Sequence, residues 1–305
     1  MSAVSVLTTP RAWARRRVLS RLPGGAAPRP LAGQRVLITG ASSGIGEATA
    51  MACADRGATV LLVARRAEAL ERVRAEIEQA GGAASTYPCD LTDGIAVDGL
   101  VARLVAEHGG VDMVVNNAGR SIRRSISLSY QRMHDFERTM AINYFAPVRL
   151  LLGLLPHMVE QRHGHVVNVL SWGVQVKAPK FAAYIASKTA LDVFSRIAGR
   201  ELYGDGITFT NVRLPLVRTA MIGPTDVYRR SRALTTEQAA ARVVRALEDR
   251  PLTVSTVAGN VSEVLNLLLP RLSDAVSHHA AKRYPDSPAA AADVIENGAH
   301  RGASP

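Results

Sequence analysis

Tyr184 and Lys188 stand four residues apart in the run Tyr184-Ile185-Ala186-Ser187-Lys188, a spacing that puts both side chains on one face of a helix. A phenol beside an ammonium suits proton donation to an alkoxide, the species left when hydride adds to a carbonyl, provided the phenol pKa falls from about 10 toward neutrality. At about 4 Å and an effective dielectric near 20 the attraction is roughly 4 kcal/mol, against about 1.4 kcal/mol per pKa unit. The pairing therefore predicts a markedly acidified Tyr184. Ser171, at the end of an apolar run, is placed to hold a substrate oxygen and polarise its carbonyl. Taken singly these residues read as an amphipathic surface pair and a helix cap. Their coincidence with a second feature gives them weight.

That feature is Thr39-Gly40-Ala41-Ser42-Ser43-Gly44-Ile45-Gly46, which follows an apolar run and opens a helical pattern. Its three glycines let the backbone turn tightly and approach a pyrophosphate, whose charge a helix N-terminus favours. Downstream, the second apolar run ends in Val63-Ala64-Arg65-Arg66 with no carboxylate to bond a ribose 2′-hydroxyl. Arginine there favours a 2′-phosphate, so NADP(H) is the expected cofactor, with Arg65 its main phosphate ligand and Ser42 or Arg66 assisting.

The elements that must carry these groups follow from periodicity. Apolar runs at 36–38, 60–63, 113–115, 165–170 and 207–212 read as strands buried on both faces. Segments 46–56, 67–80, 95–107, 130–162 and 182–203 between them have the length of crossover helices. This alternation predicts an α/β fold, a doubly wound and mostly parallel Rossmann-type sheet with helices on both faces. An amphipathic helix is expected at 263–283, with Leu265, Leu268, Leu269, Leu272 and Val276 on one side and Pro270 bending or ending its first part. Residues 31–283 read as one catalytic domain, 1–30 as a loosely ordered basic arm and 284–305 as a disordered tail.

The glycine loop, Asn116-Asn117-Ala118-Gly119 after the run at 113–115, Ser171, the Tyr184 to Lys188 run and Asn143 together resemble the short-chain dehydrogenase/reductase family over about residues 33–257. The resemblance implies catalytic roles for Asn143, Ser171, Tyr184 and Lys188, with Asn143 positioning a water that replaces the proton and a positive nicotinamide helping to acidify the phenol. It implies dinucleotide contacts at Gly40, Ser42, Ser43, Gly44, Ile45, Gly46, Arg65, Arg66, Asp90, Leu91, Asn117, Ala118, Gly119, Tyr184, Lys188, Pro215, Val217 and Thr219. Asp90 is expected against the adenine, Thr219 against the nicotinamide amide, and Asn116 along the cleft. The family has glycine where Leu216 stands, which puts the loop conformation there in question.

Arg120, Arg123 and Arg124 place three guanidinium groups just past the cleft, suited to an anion remote from the carbonyl, and Trp172 follows Ser171. Residues 117–124, 134–138, 214–219 and 284–287 resemble the reductase domain of bacterial long-chain acyl-CoA reductases. That resemblance implies a lipophilic carbonyl substrate, a fatty acyl-CoA or fatty aldehyde, and a place in lipid metabolism. A cofactor-binding sensor or scaffold without turnover, or a membrane-surface adaptor acting through the basic arm, are the alternatives.

The 305 residues carry a net charge of +11, but seven arginines precede the first acidic residue, Glu47. Charge concentrated in one arm, with aromatics at 5%, argues against nucleic acid. Residues 11–22 suit peripheral contact with an anionic membrane face. Cys53 and Cys89 cannot build a disulfide framework, and a reduced, cytoplasmic setting is expected. No metal is expected, since His163 and His165 straddle Gly164 without a third ligand at suitable spacing. The long helices at 130–162 and 182–203 are expected to form a homodimer or homotetramer interface.

Overall fold

The computed structural model describes residues 30–222, 233–284 and 286. The basic arm, with its expected membrane contact at 11–22, and most of the expected tail lie outside the described residues. Seven parallel strands form one sheet: β1 (Arg35–Thr39), β2 (Thr59–Ala64), β3 (Ala83–Pro88), β4 (Met113–Asn116), β5 (Gly164–Ser171), β6 (Ile207–Leu214) and β7 (Thr253–Val254), in the order 3-2-1-4-5-6-7. The helices are α1 (Gly44–Ala54), α2 (Ala67–Gln79), α3 (Gly94–His108), α4 (Met133–Met140), α5 (Ala146–Glu160), α6 (Gly173–Val176), α7 (Ala182–Glu201), α8 (Thr236–Asp249), α9 (Val257–Leu268) and α10 (Pro270–Lys282).

Alternate residues of each central strand serve opposite faces, and both faces are apolar. Val36 and Ile38 of β1 pack with Val60, Leu62, Val115 and Val167 beneath α1, α2 and α8. Leu37 packs with Leu61, Val114 and Val166 beneath α3, α5 and α7. The doubly wound fold read from the sequence is the fold observed. Helix starts are chemically marked: the Asp93 carboxylate accepts the Ile95 and Ala96 amides at α3, and Thr235 with Gln238 forms a capping box at α8.

Three local differences have physical causes. The strand β3 escaped the periodicity reading because its residues, Ala-Ala-Ser-Thr-Tyr-Pro, are mostly half-exposed on the sheet edge. The helix expected at 130–162 carries a π-helical turn, Ala141–Phe145, between α4 and α5. Such a turn admits an extra residue without breaking the helix, and it holds Asn143. The span Met133–Glu160 is long and apolar enough to cross a membrane, but Leu150, Leu151, Leu154 and Met158 are buried in the core. Pro270 does separate two helices, though the first begins at Val257, and Leu265, Leu268, Leu269, Leu272 and Val276 are all exposed.

His163 and His165 diverge. His163 reaches the Gln34 side chain, whereas the buried His165 ring is held at both nitrogens, Nε2 lying 3.2 Å from the Ala246 carbonyl and Nδ1 2.8 Å from the Thr208 hydroxyl and 3.1 Å from its carbonyl. Burial pushes the His165 pKa down to about 3. Between that value and the ordinary value of about 6.5 the unfolded chain binds a proton that the folded chain refuses, so stability is lost as pH falls through this window. The expected loss is about 2 kcal/mol between pH 7 and pH 5. Urea unfolding of wild type and His165→Gln at both pH values checks it, and equal acid sensitivity would contradict it.

Candidate active site

From β1 the chain winds outward to β2 and β3, and from β4 it winds the other way, so a crevice opens beyond the carboxyl ends of β1 and β4. Thr39 closes the seam between them: its hydroxyl donates to the Val115 carbonyl at 3.2 Å and accepts the Asn117 and Ala118 amides, each at 3.0 Å. The Asn117 Nδ2 donates to the Thr39 carbonyl at 3.0 Å. Gly40 and Gly44 take φ values of 67° and 60°, the left-handed region that favours glycine. A Cβ on Gly46 would lie 2.2 Å from the Gly40 carbonyl oxygen, so the loop folds back on the start of α1 with no room for a side chain.

Beside this loop, Arg65 and Arg66 are exposed after β2, and an Arg66 terminal nitrogen lies 3.5 Å from the Ser42 hydroxyl. Asp90 caps the turn after β3, accepting the Thr92 amide at 2.9 Å and its hydroxyl at 2.7 Å. These bonds, with the charge of Arg65, hold its carboxyl below the usual range. Leu91 is buried in the core. Across the crevice, Pro215 and Thr219 follow β6, and Val217 bridges to Leu234. Leu216 is absent from the described non-glycine residues at positive φ, so the loop accepts leucine without strain. Its carbonyl accepts the Leu234 amide at 2.8 Å. A Gly44 Cβ would meet the Thr219 methyl at 3.4 Å, so Ser43, Gly44, Ile45 and Thr219 border the same cleft.

The four residues expected to do chemistry converge opposite that loop. Tyr184 lies in the first turn of α7, with its phenol close enough to Ser171 at the end of β5 for that hydroxyl to pull its pKa down. The Ser171 hydroxyl also accepts the Gly173 amide at 3.1 Å. One turn on, Lys188 is buried and donates to the Val169 carbonyl at 2.9 Å. Asn143 accepts the Arg120 amide at 2.9 Å and donates to the Arg120 carbonyl and the Ser187 hydroxyl, both at 2.9 Å. Ser187 in turn donates to the Tyr184 carbonyl at 2.7 Å. Asn143 thus clamps the segment after β4 to the first turn of α7, a linkage through Ser187 that the sequence did not disclose.

The electrostatics differ from the expectation of an acidified phenol. Tyr184 is only partly covered, yet its neighbours exclude enough water that burial pushes the phenol up to about 12, against a smaller downward pull from Ser171. Burial likewise pushes the Lys188 ammonium down to about 8. Desolvation is the largest effect on the phenol, and the Lys188 ammonium, bonded to the Val169 carbonyl, does not outweigh it.

The three guanidinium groups also separate. Arg124 turns inward to Asp135 at 3.5 Å, joining Arg132 and Arg138 around that buried carboxylate. Burial opposes ionisation of Asp135, but the Arg132 hydrogen bond and the neighbouring positive charges outweigh it and keep the carboxyl below its usual range. Arg124 is therefore a structural ion-pair member rather than a group facing the cleft. Arg123 donates to the Tyr284 carbonyl at 2.7 Å, while Arg120 and Trp172 are exposed beside the site.

A buried polar ladder behind the site was invisible to hydropathy. Asn116 donates to Asn168 at 2.9 Å, Asn168 to Asn211 at 3.1 Å, and Asn211 to the Asp192 carboxylate at 2.8 Å, binding β4, β5, β6 and α7 side by side. Arg213 continues it from Asp192 to Glu263, which also accepts Gln175 from α6.

The family model described as short chain dehydrogenase matches residues 34–227. A fatty acyl-CoA reductase of Acinetobacter baylyi is 47% identical over 258 residues, covering 85% of this chain and 88% of that one. A fatty acyl-CoA reductase of Mycobacterium tuberculosis is 44% identical over 250 residues, covering 82% and 85%. Among solved structures, a metagenomic short-chain oxidoreductase in complex with NADP superposes with a TM-score of 0.62 at 31% identity, covering 72% of this chain and 92% of that one.

Gly119 packs closely against the candidate catalytic side chains: a Cβ there would lie 2.8 Å from the Asn143 Oδ1 and 3.4 Å from the Lys188 Nζ. Gly119→Ala is expected to cost about 1–3 kcal/mol in urea denaturation and to speed exchange of the Arg120 amide, which Asn143 holds. Unchanged stability and exchange would mean that the space is not closed.

Proposed function

Since the chain belongs to the short chain dehydrogenase family of oxidoreductases, we propose that it is an NADPH-dependent reductase of a lipophilic carbonyl, a fatty acyl-CoA or fatty aldehyde. The observation that carries this reading is the convergence of Tyr184, Ser171 and Lys188 across the cleft from a glycine loop flanked by Arg65 and Arg66. The fatty acyl-CoA reductases to which the chain is similar support the substrate class.

The residues present fit a phosphorylated dinucleotide. The glycine loop leaves backbone amides at the start of α1 free of side-chain bulk, and no carboxylate stands at the end of β2. Gly40 to Gly46 would hold the pyrophosphate, Arg65, Arg66 and Ser42 the 2′-phosphate, Asp90 and Leu91 the adenine end, and Asn117, Ala118, Gly119, Pro215, Val217 and Thr219 the far end. NADPH supplies the hydride.

Tyr184 and Ser171 then hold the carbonyl oxygen, both donating as charge develops on it. With burial keeping the phenol up to about 12, Tyr184 is protonated at neutral pH and donates to an alkoxide that is far more basic. The tyrosinate that results lies one turn from the Lys188 ammonium, which offsets its charge. For an aldehyde, hydride at carbon and the Tyr184 proton at oxygen give the alcohol. For an acyl thioester, hydride addition followed by loss of the thiolate gives the aldehyde. Phe145 and Leu152 on or beside α5, and Val193 and Ile197 on α7, expose apolar surface suited to a subunit interface.

NADPH oxidation against a panel of acyl-CoAs and aldehydes tests the reading. Turnover is expected with long-chain members, and inactivity across the panel would overturn it. Tyr184→Phe is expected to lower kcat by more than about 100-fold with NADPH affinity retained, and retention of most activity would remove Tyr184 from the chemistry. Arg65→Asp is expected to shift the ratio of catalytic efficiencies with NADPH and NADH toward NADH by about tenfold or more. An unchanged ratio would contradict the 2′-phosphate role.

A further inference from the structure

We propose that Asp286 is a positioning residue that latches together the two walls of the substrate cleft, the segment that follows Gly119 and the segment that precedes Tyr184. The inference rests on the reading of this cleft as a carbonyl-substrate site. Both segments are rooted in the site. One runs from Gly119, packed against Asn143 and Lys188, through Arg120 to Ser125; the other runs from α6 to Tyr184 through Lys177 and Lys180.

After α10 the chain returns across both. One Asp286 carboxylate oxygen accepts the Ser125 amide at 3.0 Å, and the other lies 3.3 Å from the Lys180 ammonium. The same ammonium donates to the Tyr284 carbonyl at 2.7 Å, and the Arg123 guanidinium donates to that carbonyl at 2.7 Å. The walls also touch directly, the Arg124 amide donating to the Lys180 carbonyl at 2.7 Å. Tyr284 and Asp286 therefore bind a backbone amide of one wall and a side chain of each.

Two further observations point the same way. Lys180 takes a φ of 70°, a backbone conformation that costs a non-glycine residue energy and is kept where surrounding contacts over-determine it. Those contacts are Tyr284, Asp286 and the Arg124 amide. The Asp286–Lys180 pair is also mostly covered, each side chain 15% exposed, so it is screened less than a surface pair. A carboxylate accepting a backbone amide and an ammonium at once fixes the spacing of the two walls, where a surface ion pair would not. The latch meets one wall at Arg123 and Ser125, beyond Arg120, and the other at Lys180, four residues before Tyr184, so it bears on the spacing of the two segments that lead into the carbonyl site.

Asp286→Ala, Asp286→Asn, Lys180→Met and the Ala/Met double variant test this in the full chain. Hydrogen exchange without substrate is read for peptides covering 120–125 and 177–183, and KM, kcat and NADPH affinity are read with a long-chain aldehyde. Asp286→Ala is expected to speed exchange in both segments and to raise KM about tenfold, with kcat within about threefold and NADPH affinity unchanged. Asp286→Asn, which keeps an acceptor for the Ser125 amide, should fall between, and Lys180→Met should add little on top of Asp286→Ala. Wild-type exchange and KM in Asp286→Ala would overturn the latch, as would loosening of one segment alone. Faster exchange in both segments of an enzyme inactive on every aldehyde would uphold the latch and overturn the substrate reading instead.

Discussion

The hydrogen bond from the Lys188 ammonium to the Val169 carbonyl sets the register of α7 against β5, and the chemistry follows from that register. A buried ammonium must be satisfied or it neutralises, and here one main-chain carbonyl near the end of β5 receives it. With Lys188 fixed, Tyr184 one turn earlier falls over Ser171, two residues beyond Val169 on the same strand. Asn143 and Ser187 brace that turn from the other side, and Gly119 leaves the space that Lys188 fills. A phenol kept protonated by burial and an amine brought toward neutrality by the same cause are two results of one dry environment.

The sheet supplies the location. Reversal of winding between β1 and β4 opens a crevice, and Thr39 ties its floor so that the glycine loop and the segment after β4 face each other. Beneath the crevice, polar bonds run through the apolar packing. The chain of amides from Asn116 through Asn168 and Asn211 to Asp192 joins three strands to the helix that carries Tyr184 and Lys188. A buried network of this kind, in which the Asn116 Oδ1 at its end is left without a partner, favours one alignment of strands, since a shifted register would orphan several more polar groups together.

Much of this was legible in the residues. Strands with apolar side chains on both faces declared a covered parallel sheet, and the glycine loop, Ser171 and the Tyr184 to Lys188 run fell where the winding reverses. What could not be read depended on partners distant in the chain. β3 is a half-polar edge, so periodicity did not mark it. The π-helical turn at Asn143 inserts a residue without altering the apolar pattern on either side. Arg124 lies beside Arg120 and Arg123 in sequence, but a buried carboxylate on α4 claims it. Coulomb attraction between neighbours on a helix suggested an acidified Tyr184, whereas desolvation, a property of the whole surround, carries the phenol the other way.

The dry environment around Lys188 is open to direct measurement. The chain has four lysines, Lys177, Lys180, Lys188 and Lys282, few enough to resolve by carbon-13 labelling of the ε-methylene and to assign by single Lys→Arg variants. In an NMR titration Lys188 should change with a midpoint near pH 8, where burial places it, well below an ordinary lysine at about 10.4. A Lys188 midpoint in the ordinary range would mean that water reaches the ammonium, and the buried anchor for Tyr184 would not exist.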